Sequence, residues 1–352
     1  MKAVVFDAPH SVLVTDVPRP RIQEPQDAIV KVSLSAICAS DLHILDGKTP
    51  GMRDGCVIGH EFVGTIEELG DHASRHYEGE RVVGSFLIAC GTCSPCIDSR
   101  FNHCLNRRAL GLGALTGDLE GAQAEYVRVP NADINLHTLD GALDELTDEQ
   151  ALFSGDILAT GFYAAALSEI EPDRAVVVIG AGPVGLFCAA AAKRLGALPL
   201  LVLDQDPARV SFARERFGIE AIDVSGKDAE VEVREATFGR LADVVIEAVG
   251  SVDAFKSARR CTRDGGVVAV VGVYGAERYE FPMGRVWIRG LDLRFAGMAN
   301  VQGHWEDALT AVAKGEVDPT AVITHRLPLD RAPEGYELFA AREAMKVVLT
   351  PT

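Results

Sequence analysis

A run of apolar residues that breaks on glycines and resumes as a helix fixes much of what this chain can become. The run is 176-VVVIGAGPVGLFCAAAAKRLGA, with Gly180, Gly182 and Gly185 in the spacing G-x-G-x-x-G. Valine and isoleucine favour a buried strand, the glycines a tight turn, and the alanine-rich stretch a helix. Ala175 to Ala192 is uncharged and of membrane-spanning length, but Gly180, Gly182, Pro183 and Gly185 punctuate its middle, so strand, turn and helix explain it better. In that context the motif is a dinucleotide-binding turn. Gly180 makes the turn, Gly182 lets backbone approach a pyrophosphate, and Gly185 lets helix and strand pack closely, with the helix N-terminus facing the phosphates.

The surrounding pattern agrees. From about residue 150, apolar strands alternate with helical stretches: 199-PLLVLD, a helix from Pro207 to Phe217, 219-IEAID, 242-ADVVIEAVG and 266-GVVAVVG. Such alternation gives an α/β fold, a doubly wound parallel sheet covered on both faces. Asp204 closes the second strand. Its carboxylate can accept both ribose hydroxyls and would repel a 2′-phosphate, so NAD is expected over NADP, with Arg209 nearby. Asp206 is the better N-cap for the helix that starts at Pro207. Thr160, Pro183 and Val184 complete the candidate cofactor contacts.

Residues 1 to about 150 read differently, as short strands set apart by Gly, Pro and Asp turns, among them 27-DAIVKVSLSAIC, 62-FVGTIEELG, 80-ERVVGSF and 124-AEYVRVP. After about residue 290 the chain returns to mixed character and ends in 346-KVVLTP, so an α/β domain is inserted into a β-rich one. The expected bounds are 1–152, 153–289 and 290–352. A length of 352 residues suits two cores rather than one. The net charge of −17 and the lack of a Lys/Arg cluster argue against nucleic acid as a partner. The N-terminal MKAVVFDAPHSVLVTDVP has no continuous apolar core and is not a secretory signal, which points to the reducing cytoplasm and away from a membrane.

Four of the eight cysteines fall in 90-CGTCSPCIDSRFNHC, and two disulfides or unligated thiols are alternatives to a metal site. In a reducing compartment the C-x2-C spacing favours one zinc on Cys90, Cys93, Cys96 and Cys104, in a lobe over 86–108. Four thiolates leave no open coordination position, so this zinc would be structural. Chemistry is expected instead from 37-ICASDLHILDG and 58-IGHEFVG. There Cys38 and His60 are a soft and a borderline zinc ligand, and Asp41 can orient His60. Cys56, Cys188 and Cys261 sit in apolar settings and read as packing residues.

With CASDLH at 38–43, GHEFVG at 59–64, the four-cysteine lobe and GAGPVG at 180–185, the chain resembles the zinc-dependent medium-chain dehydrogenase/reductase family along nearly its whole length. The resemblance implies a split GroES-like catalytic domain, a Rossmann domain, and an active site in the cleft between them. It implies catalytic-zinc ligands at Cys38 and His60, a substrate-hydroxyl contact at Ser40, and the outer end of a proton relay at His43. Where several members carry a second cysteine, this chain has 153-FSGDILATGF, so Asp156 is the implied third ligand, with helix N-cap as its alternative role. Glu61 is either an alternate fourth ligand or a charge beside the site.

The implied activity is reversible hydride transfer between a primary or secondary alcohol and NAD, with one catalytic and one structural zinc. The proton leaves through Ser40, the nicotinamide ribose and His43. Polyol dehydrogenation and formaldehyde oxidation or dismutation are alternatives on the same fold, and an inactive NAD-binding zinc protein is the non-enzymatic one. The expected partner is a small alcohol, aldehyde or ketone, and the family implies a homodimer or homotetramer.

Overall fold

The computed structural model describes residues 1–49, 51–275 and 279–351. The chain forms two compact units, Met1–Ala159 with Asn300–Thr352, and Thr160–Ala299.

The second unit is built on six parallel strands. Their order is Glu220–Asp223, Leu200–Asp204, Val176–Ile179, Ala242–Glu247, Thr262–Val270 and Asp292–Phe295. Numbered along the chain this is 3-2-1-4-5-6, the doubly wound order in which ligands bind where the winding reverses. The reversal lies beside Val176–Ile179, every residue of which is buried. The glycine turn follows directly, and helix Pro183–Arg194 carries Gly182 as its N-cap. Gly180 has φ +104°, a region open mainly to glycine. A Cβ on Gly185 would lie 1.9 Å from the Gly180 carbonyl oxygen, so only glycine permits this helix-to-turn approach. Cys188 and Cys261 are buried in this unit.

The first unit centres on a seven-stranded sheet with the order Ile323–Pro328, Lys346–Thr350, Ala28–Ile37, Glu61–Leu69, Arg81–Gly84 and Leu136–Thr138, with Tyr126–Val129 also pairing Ala28–Ile37. The return segment thus enters the sheet beside a strand more than 300 residues earlier, pairing Val347 with Ile37. A separate antiparallel pair, Lys2–Ala8 with Ser11–Asp16, and a helix, Trp305–Ala313, are additions that the strand pattern did not announce.

The segments 153–159 and 290–299 lie on the other side of the unit boundary from the sequence-based expectation. Both follow their packing. The Phe86 amide donates to the Gly155 carbonyl at 3.1 Å, which ties the turn before Asp156 to the β-rich unit. Asp292–Phe295 adds to the edge of the parallel sheet. Among the described residues no helix is long and apolar enough to cross a membrane.

Candidate active site and metal centres

Strand pairing assembles the first cluster. Ala28–Ile37 and Glu61–Leu69 are antiparallel with Ala36 opposite Glu61, so Cys38 and His60 emerge at the same end. Cys38 caps helix Ala39–Leu45, and Asp41 in the first turn of that helix accepts the Cys38 amide at 2.9 Å. His60 follows Gly59, whose φ is +84° and whose added Cβ would lie 2.3 Å from the Gln123 side chain. Asp156 arrives from the turn Phe153–Gly155, just before helix Ile157–Leu167. Gly155 makes that approach possible, because a Cβ there would stand 2.2 Å from the Gly84 carbonyl oxygen.

The side chains of Cys38, His60 and Asp156 converge. Asp156 Oδ2 lies 3.3 Å from His60 Nε2 and 3.5 Å from Cys38 Sγ, and all three donor atoms fall within 4.8 Å of one another. Zinc bonds of ~2.0–2.3 Å arranged tetrahedrally separate neighbouring ligand atoms by ~3.4–3.7 Å, so the set suits zinc. The three groups are buried, and two of them can carry negative charge. Burial alone would raise the Asp156 pKa, but hydrogen bonding to His60 lowers it. Burial would likewise lower that of His60, yet the Asp41 charge and the contacts with Asp156 and Asp41 hold it well above its ordinary value. A buried, mutually dependent carboxylate, thiol and imidazole is a natural cation site.

Ser40 Oγ sits 3.2 Å from His60 Nε2, so the expected hydroxyl contact reaches the cluster. His43 lies three residues further along the same helix, half-buried, its pKa lowered by burial and then by Lys48. Asp41 Oδ1 faces His60 Nδ1 at 3.3 Å, in place to fix the ring. Asp41 also accepts from Gln123 Nε2 at 3.2 Å, and Gln123 Oε1 accepts the Tyr336 hydroxyl at 2.8 Å. Phe86 packs edge-on to His60, ring centroids 5.9 Å apart.

Sequence reasoning missed Lys346. It is 1% exposed and forms an ion pair with Glu61, which is fully buried. Its ammonium also donates to the Ile37 carbonyl at 3.0 Å and lies 5.4 Å from the Phe153 ring centroid. Burial pushes the Glu61 pKa up to about 7, and the Lys346 charge counters it only in part. Glu61 falls outside the three-residue ligand set. The one signal in the sequence was a lysine opening an otherwise apolar strand, a common place for a solvated charge.

The second cluster is Cys90, Cys93, Cys96 and Cys104, again within 4.8 Å of one another. Cys93 Sγ is 3.4 Å from Cys96 Sγ and 3.8 Å from Cys104 Sγ. Backbone amides point at the sulfurs: Cys90 N and Asn106 N donate to Cys104 at 3.3 Å, and Leu105 N to Cys93 at 3.5 Å. The Cys96 thiol is pushed up to about 12 by burial and by Cys93, while hydrogen bonds from Thr92 and Asn106 outweigh burial and bring Cys90 down to about 5. Four crowded thiols cannot all ionise without a cation among them, and zinc fits this donor set. All eight cysteines are free of disulfides.

The dinucleotide turn occupies the second unit. Asp204 Oδ2 accepts the Ala181 amide at 2.7 Å and Oδ1 accepts that of Asp206 at 2.9 Å, so the carboxylate is held at the turn. Asp206 caps the next helix, accepting from Ala208 N at 2.9 Å. The space beside Gly182 is open, with only Arg209 Nη1 at 3.7 Å from where a Cβ would be. Pro183 begins the following helix and Val184 is its next residue, while Thr160 is the first residue of the unit and is buried.

A parallel sheet with a glycine turn at its winding reversal, in one chain with a β-rich unit holding one Cys-His-Asp and one four-cysteine set, defines a zinc-binding dehydrogenase. Comparison with known proteins agrees. The alcohol dehydrogenase GroES-like domain matches residues 24–139 and the zinc-binding dehydrogenase domain residues 183–314. A zinc-type alcohol dehydrogenase-like protein of Bacillus subtilis is 33% identical over 100% of both chains. The solved alcohol dehydrogenase TADH from Thermus sp. ATN1 superposes with a TM-score of 0.95 at 40% identity, covering 100% of each chain. A protein from Sinorhizobium meliloti 1021, solved bound to NADP, is 28% identical with a TM-score of 0.86 and covers 99% of each chain. The chain belongs to the zinc-dependent medium-chain alcohol dehydrogenase family.

Removing Lys346 tests how far the site's electrostatics hold up the fold. Lys346→Met should destabilise the protein by about 3–5 kcal/mol, because it strands a buried carboxylate. Adding Glu61→Gln should restore most of that loss, since an amide needs no counter-charge. Urea midpoints of both variants check this, and equal destabilisation in the single and double variants would contradict it.

Proposed function

We propose that this dehydrogenase moves a hydride reversibly between a primary or secondary alcohol and NAD. The observation that carries the reading is the meeting of Cys38, His60 and Asp156, drawn from three separate stretches, in one buried set with Ser40 against it. Zinc bound there supplies the Lewis acidity that brings an alcohol's pKa toward neutrality. Ser40 orients the substrate hydroxyl and takes its proton. His43, kept neutral by burial, passes the proton on to solvent; relays of this kind contribute roughly 10²–10⁴ in rate. Asp41 holds the His60 ring, and the Glu61–Lys346 pair offsets one further negative charge beside it. The four-cysteine set holds the second, structural zinc. The cysteine usage supports a cytoplasmic location.

Asp156→Asn decides the ligand assignment. The amide preserves local hydrogen bonding but removes a charged donor. The variant should stay folded, fall from about two zinc ions per chain to about one, and lose more than about 10²-fold in kcat/KM, since loss of a ligand's supporting partner alone costs about 10–100-fold. Elemental analysis beside an alcohol-dependent NADH assay reads both. Two zincs with near-normal turnover would reject Asp156 as a ligand.

NAD is favoured over NADP because Asp204 closes its strand at the glycine turn. Asp204→Ala should weaken NAD use by roughly tenfold, the value of a charged hydrogen bond, and raise the NADP/NAD ratio of kcat/KM. A wild-type preference for NADP, the cofactor seen in the Sinorhizobium meliloti protein, would overturn this assignment.

We also propose that two copies associate through the sheet edge at Asp292–Phe295. Phe295 is 63% exposed there, and Met283, Trp287 and Ile288 just before it are 66%, 76% and 72% exposed. An unpaired edge with an apolar patch suits isologous pairing with a second copy. Trp287→Glu should convert a sedimenting dimer or larger assembly toward monomer at micromolar concentration. A wild-type monomer under those conditions would rule the interface out.

A further inference from the structure

The second unit carries a depression of about 1130 Å³ that the proposed reaction does not use. It is lined by helix Val252–Cys261, by Glu230 and Arg234 of helix Ala229–Ala236, and by residues between 280 and 291, of which Ile288 borders the proposed dimer edge. None of Gly180, Gly182, Gly185, Asp204 and Arg209 lines it. Its charge runs against that of the chain. The protein as a whole is at −17, yet eight of the lining residues are Arg or Lys and four are Asp or Glu.

Ion pairs account for part of this excess. Five of the eight bases are held by carboxylates. Arg240, Arg259 and Arg285 have no side-chain hydrogen bond or ion pair among the described residues, and Glu280 is the one lining acid left outside a pair. Arg259 is the most constrained. Its Nε–H is buried without a partner, its guanidinium stacks 5.2 Å from the Phe255 ring centroid, and its carbonyl accepts Arg289 Nη1 at 2.6 Å. A neighbouring cation is thus held against it by the backbone. Burial, then the charges of Arg285 and Arg289, push its pKa below the ordinary value. A buried guanidinium N–H without an acceptor, crowded by like charges, costs free energy that an anion would return.

We propose that this depression binds a small molecule carrying two or more phosphate groups, gripped by Arg240, Arg259 and Arg285. Three uncompensated guanidinium groups against one free carboxylate call for a multivalent anion rather than a single carboxylate. The planar guanidinium fork matches phosphate oxygens bidentately. The depression is roomy enough for a small molecule of that kind.

The probe is inorganic tripolyphosphate, titrated calorimetrically into the full-length protein at low salt. Binding should be submillimolar and should weaken steeply as salt is added. Arg285→Gln, at an exposed position, should weaken it about tenfold without changing the melting temperature, and Arg259→Gln should do so at least as strongly. Arg209→Gln, at the glycine turn, should leave it unchanged. The proposal is overturned if tripolyphosphate does not bind, if Arg209→Gln abolishes binding while Arg285→Gln does not, or if citrate binds and tripolyphosphate does not. None of these readouts depends on alcohol turnover, so the result stands apart from the proposed reaction.

Discussion

Buried negative charge is the constraint around which the first unit is arranged. Asp41, Glu61 and Asp156 are all buried around Cys38 and His60. No apolar core tolerates such a group unless each charge meets a counter-charge or a hydrogen-bond donor. Each does, and most of the partners come from distant parts of the chain. Asp41 takes the Cys38 amide and the Gln123 side chain, Glu61 takes Lys346, and Asp156 takes His60. The remaining capacity of Cys38, His60 and Asp156 is what a divalent cation satisfies.

That arrangement explains why the chain must return to its first sheet. Lys346 reaches Glu61 because Lys346–Thr350 pairs with Ala28–Ile37, setting Val347 opposite Ile37. The same strand that completes the sheet therefore carries the cation that completes the site. Stability and site electrostatics are linked by one side chain, and neither can be altered there without the other. Gly59, Gly84 and Gly155 do the complementary work of leaving room for the Gln123 side chain, the Phe62 ring and the Gly84 carbonyl to close in around the cluster.

The two metal-ligand sets differ in how they are made. The four cysteines come from fifteen consecutive residues, and local backbone amides point at their sulfurs, so that lobe is largely preformed by its own turns. The Cys-His-Asp set spans more than a hundred residues and exists only once the β-rich unit has folded. A local, fully sulfur-ligated set suits a structural role, and a set assembled from separate stretches leaves a direction open to a substrate.

Local chemistry determined what the sequence made legible. The glycine turn, the strand–helix alternation and the C-x2-C spacing each act over a few residues, so Gly180, Gly182, Gly185 and the cysteine lobe could be read directly and the α/β class followed. Asp204 and Asp206 were separable for the same reason, one closing a strand and the other preceding a proline-led helix. Tertiary structure decided what depends on register and burial. Lys346 looks like an ordinary surface lysine until strand pairing carries it inside against Glu61, and the Tyr336–Gln123–Asp41 chain joins residues with no sequence relation. The unit boundary moved because the turn before Asp156 packs on the β-rich sheet, which no periodicity encodes. Propensity and motif are short-range; the pairing of buried charges is a long-range property, fixed only when the whole sheet closes.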